Sequence, residues 1–89
     1  MKIESDKDFE QLRKQFAAWR RLFPMFAHDV ARIEKIIDEH IQTHSKIMVQ
    51  YRQTKSRSYL EKAQKEIDAI NQILNTVEKI ELMALLARG

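Results

Sequence analysis

Two histidines, His40 and His44, stand four residues apart, and that spacing sets both imidazoles on one face of a helix. Such a pair can hold a divalent metal, as in the H-E-x-x-H pattern. A metal needs a third ligand, and the neighbours Ile36, Ile37, Ile41, Ile47 and Met48 supply none. The pair therefore reads first as a polar layer in an apolar seam, whose hydrogen bonds fix the register of two helices. With a turn centred near residue 56, position 44 comes level with 68 and position 40 with 72. Asp68, Asn71 and Gln72 are then the expected partners, and a His44–Asp68 pair would raise the imidazole pKa. His28 lies on another face and is given no role.

The second group that could do chemistry is basic. Arg52, Lys55, Arg57, Lys62 and Lys65 are opposed locally only by Glu61, and Tyr51 and Tyr59 flank them. Such a cluster can contact phosphates or an acidic protein surface. The plainer reading is a solvated tip kept soluble by its lysines. No helix-turn-helix, RNP or zinc-finger spacing points to sequence-specific nucleic-acid recognition.

Covalent catalysis finds no support. The chain has no cysteine, which excludes thiolate chemistry and disulfides, and its one glycine is the terminal Gly89. Without internal glycine there is no phosphate-binding loop, and no serine sits in a nucleophile elbow. The acids stand mostly beside Lys or Arg on helix faces, as Asp29 near Arg32. No enzyme activity and no cofactor are expected.

These groups need elements to hold them. Phe9, Leu12, Phe16, Trp19, Phe23, Phe26, Val30, Ile33, Ile37, His40, His44, Ile47 and Tyr51 recur in steps of three and four. That is the a/d stripe of a coiled-coil-like helix. The phase fails at Thr54 to Ser58 and restarts with Leu60, Ala63, Ile67, Ile70, Leu74 and Val77. The fold class expected is all-α, as one domain over 1–89. A first helix spans 6–22, capped by Ser5 and Asp8, and a second spans 25–53. A turn covers 54–58, and a third helix spans 59–87, opened by a Ser58–Glu61 capping box. The second and third helices should form an antiparallel hairpin. Pro24 either breaks the chain, so that the aromatic helix packs at the base of the hairpin, or kinks one long helix. The break is favoured, because unbroken helices of this length are uncommon.

The apolar stripe of the third helix is narrow near the turn and widens from Ile70 onward. A wide stripe packs on two neighbours and a narrow one on a single neighbour. The layout is thus a three-helix base with a two-helix projection. It resembles the three-helix repeats of the spectrin type, with a tryptophan in the first helix. It also resembles the small helical-hairpin chaperones of bacterial secretion systems. The likeness is one of layout and carries no residues over.

The 89 residues hold 33% charged side chains and a net charge of +3, too mild to argue for nucleic acid. No apolar run approaches a membrane span, and the N-terminus MKIESDKDFE lacks a signal-peptide layout, so a cytosolic location is expected. A chain this short buries only about 60–65% of its unfolded surface and gains from association. Phe9, Leu12, Phe16, Trp19 and Phe23, with Leu82, Met83, Leu85 and Leu86, are the expected protein interface. The function expected is a non-enzymatic protein–protein interaction module, as adaptor, assembly factor, chaperone or small inhibitor. It would act as a dimer or higher homo-oligomer with a further protein partner. The alternative is polyanion binding through the basic tip.

Overall fold

The computed structural model describes residues 2–88, with side chains through residue 79. It is all-α: three helices, α1 (Phe9–Leu22), α2 (Ala27–Thr54) and α3 (Arg57–Arg88), with no strand among the described residues.

The start of α1 follows from its capping chemistry. Ser5 is extended, and its hydroxyl accepts from the Lys7 N–H. The Asp8 carboxylate accepts from the N–H groups of Glu4 at 2.9 Å and Ser5 at 3.3 Å, closing a capping box. The helix expected from residue 6 opens as a 3-10 turn over Asp6–Asp8 and becomes α-helical at Phe9.

Pro24 breaks the chain. It disfavours helix at the preceding residue, and Phe23 leaves the helix at φ −126°, ψ 68°. The Phe23 N–H still closes α1 on the Trp19 carbonyl at 2.9 Å. Proline then leads a 3-10 turn, Pro24–Phe26, where its missing N–H costs nothing. The alternative of one kinked helix is thereby excluded, and α2 begins at Ala27 rather than 25.

The connection after α2 is shorter than the five residues expected. Thr54 still belongs to α2, and only Lys55 and Ser56 lie between the helices. Lys55 turns left-handed at φ 57°, and its N–H returns to the Tyr51 carbonyl at 2.6 Å. That αL closure reverses the chain without glycine. Because α3 begins at Arg57, Ser58 sits inside its first turn, and its hydroxyl meets that of Ser56 at 3.0 Å. The expected Ser58–Glu61 capping box is therefore not at the helix start.

Laid end to end, α2 and α3 would span about 90 Å. The molecule is 53 × 18 × 16 Å, so the two helices lie side by side. The core runs along their seam, through Ile37, Ile41, Ile67, Ile70, Leu74 and Val77, and takes Leu12, Phe16 and Trp19 from α1. At about 21 Å, α1 reaches along only half of α2. Two ion pairs tie it there, Arg20 to Glu34 and Arg13 to Asp38 at 3.8 Å. Beyond it the hairpin stands alone, and no residue between 45 and 62 is buried.

Candidate functional site

The two histidines part company. His40 Nδ1 lies 2.5 Å from a Glu66 carboxylate oxygen, a half-buried contact across α2 and α3. Gln72 was the residue expected level with it. Glu66, six residues nearer the tip than that level, meets it instead. His44 is 5% exposed and has no hydrogen-bond partner among the described residues. The Phe9 ring stands edge-on to it, with centroids 5.3 Å apart. Asp68, its expected partner, is exposed and accepts instead from the Gln64 amide at 3.0 Å. Burial pushes the His44 pKa below its ordinary 6.5, with the carboxylates of Asp6 and Glu66 pulling the other way. The raised pKa expected from an Asp68 pair is thus reversed. No group of three His, Cys, Asp or Glu among the described residues could hold a metal ion.

Asn71, the third expected partner, does something the sequence reading missed. Its Oδ1 accepts from the Ile3 N–H at 2.7 Å, and its Nδ2 donates to the Ile3 carbonyl at 2.8 Å. One side-chain amide thus satisfies both backbone groups of Ile3, whose side chain is 1% exposed. The extended residues ahead of the Ser5 cap are strapped across α3. The available signal was a lone isoleucine in a polar N-terminus, just ahead of a helix cap.

Where this strap turns into α1, a cavity of about 180 Å³ opens between the capping turn and the hairpin. His44 stands in its wall, Met48, Leu60, Ala63 and Ile67 give it apolar sides, and Glu4 and Asp6 border it.

The five expected tip cations, Arg52, Lys55, Arg57, Lys62 and Lys65, are all exposed. None forms an ion pair among the described residues. Lys55 lies 5.7 Å from the Tyr51 ring centroid and Lys62 lies 5.5 Å from that of Tyr59. Each tyrosine thus has a lysine of its own helical neighbourhood over one ring face. Residues 45–65 carry six cations and one carboxylate, while the rest of the chain carries ten cations and twelve carboxylates. The molecule is a rod with one basic end.

The aromatic stripe expected as an interface is spent inside the chain. Phe9, Leu12, Phe16 and Trp19 are buried, and Phe23 is half-buried against the core. Among the described residues, Leu22, 53% exposed, and Met25, 83% exposed, leave large apolar groups in water on either side of the Pro24 corner. The remaining expected interface residues, Leu82, Met83, Leu85 and Leu86, lie outside the described side chains. No helix among the described residues is long and apolar enough to cross a membrane. Comparison with protein-family models, curated proteins and solved structures finds no match.

Proposed function

We propose that this chain is a non-enzymatic helical interaction module that works as a homo-oligomer, in the manner of an adaptor, assembly factor, chaperone or small inhibitor. The observation that carries the reading is the Pro24 corner. Leu22 and Met25 are exposed there, and Phe23 and Phe26 are only half-buried beside them. The sequence adds Leu82, Met83, Leu85 and Leu86 in the last turns of α3. A cluster of this kind on a small protein marks an association surface. Burying a large apolar side chain contributes roughly 1.5–3 kcal/mol, enough for a few such groups to hold a dimer together. A symmetric association through the base is the simplest arrangement.

Light scattering on the whole chain, its Met25→Glu variant and its Leu85→Glu variant tests this. The wild type should show a mass that rises with concentration, and Met25→Glu should remain a monomer with its helicity intact. Leu85→Glu should weaken association in the same way. Equal masses for all three chains at every concentration would remove the reading.

A second reading, polyanion binding at the tip, is favoured by one observation: all five cations there are exposed, and none is in an ion pair with another described residue. Paired charge reversal, Arg57→Glu with Lys62→Glu, should then abolish binding to a generic oligonucleotide in low salt and leave thermal stability nearly unchanged. Wild-type protein that fails to bind the oligonucleotide would end this reading.

A further inference from the structure

The seam between α2 and α3 continues past the start of α1 toward the tip. Its lower part takes Leu12 and Phe16, both at most 1% exposed. Its upper part is a groove that opens at the cavity beside His44, between Met48 and Leu60, and no described residue fills it. Leu60, in its wall, is 39% exposed. On α2, His44, Met48 and Arg52 follow one another in steps of four, one row on one face. On α3, Ile67, Leu60 and Arg57 follow in steps of seven and three, again one stripe. Both rows pass from apolar to guanidinium toward the tip. The inner end carries the carboxylates of Glu4 and Asp6 instead.

We infer that this upper groove takes an amphipathic helix of a partner protein, with its apolar stripe on Met48 and Leu60 and an acidic last turn against Arg52 and Arg57. The inference rests on reading the chain as an interaction module and names the chemistry of its partner. The groove offers an apolar floor at its inner end, where Met48, Leu60, Ala63 and Ile67 line the cavity. Its ends match a helix macrodipole: carboxylates face the positive N-terminus and arginines face the negative C-terminus. Arginine forks also bind carboxylates in a paired geometry. His44, in the cavity wall and without a hydrogen-bond partner among the described residues, offers its ring nitrogens to a polar side chain entering the cavity. A nucleic acid would use the two arginines, but it would leave the apolar floor uncovered and meet Glu4 and Asp6 at the inner end.

The test uses the whole chain and two labelled synthetic helical peptides with one leucine stripe. The first carries Lys in its first turn and Glu in its last, and the second has these charges exchanged. Fluorescence anisotropy at moderate salt should show the first peptide binding about tenfold more tightly than the second. Leu60→Ser should weaken the first peptide by about tenfold, and so should Arg52→Glu with Arg57→Glu. All three positions are exposed, so the variants should fold, and helicity by circular dichroism checks it. Equal binding of the two peptides, binding by neither, or binding indifferent to Leu60→Ser overturns the inference. So does an oligonucleotide that binds through Arg52 and Arg57 and displaces the first peptide equally from wild type and Leu60→Ser. Self-association is read at the opposite end of the rod, through Met25, so failure of either reading is visible separately.

Discussion

His44 and Asn71 each carry more of the fold than their neighbours. Because burial holds the His44 pKa below 6.5, the folded state prefers the neutral ring. The unfolded chain then binds the proton first as pH falls. Stability should therefore be fully present above about pH 6.5 and decline as pH drops through the folded value, levelling off below it. Urea unfolding between pH 7 and pH 5 should show this decline, and His44→Leu should flatten it. A steeper decline in the variant would contradict the assignment. Asn71→Ala should cost about 1–3 kcal/mol, because it leaves the Ile3 N–H and carbonyl unpaired in a part-buried site. The amide protons of residues 3–5 should then exchange faster, while those in the middle of α2 stay protected. The sequence placed both residues in a polar layer. It could not assign their partners, because these depend on how far long side chains reach along the seam and on a strap that has no periodic signal.

The elements were legible to the extent that their signals are periodic or local. The stripe from Phe9 to Tyr51 marked the inward face: Phe9, Leu12, Phe16, Trp19, Val30, Ile37 and His44 are buried along it. The Ser5–Asp8 cap and the proline break are local steric and hydrogen-bonding effects, so neighbouring residues announce them. The turn was drawn too long because its reversal depends on one left-handed lysine where glycine is the usual signal. Lys55 pays a conformational penalty there that glycine avoids. Lys55→Gly should raise stability by about 1 kcal/mol in chemical denaturation, with the helix content of the chain unchanged. Ser58→Ala, by contrast, should change stability by no more than about 0.5 kcal/mol, since Ser58 is an exposed residue inside the first turn of α3. A loss near that of a helix cap would put the start of α3 back at residue 59.

At the scale of the whole molecule the chain is a rod with two different ends. Its radius of gyration is 15.0 Å, where a compact chain of this length would have about 12 Å. One end is a three-helix base whose corner leaves Leu22 and Met25 in water, and the other is a basic two-helix tip without a buried residue. On the proposed reading the two ends take different contacts, self-association at the base and a partner helix along the tip groove. Trp19 is already buried at 3% exposure in the single chain, so its emission should be blue-shifted at every concentration and does not report association. Native mass spectrometry of the whole chain from low to high micromolar concentration measures association directly. The account predicts a species at an integer multiple of 10.6 kDa that gains population with concentration and is lost in Met25→Glu. A single species at 10.6 kDa across the whole range would contradict it.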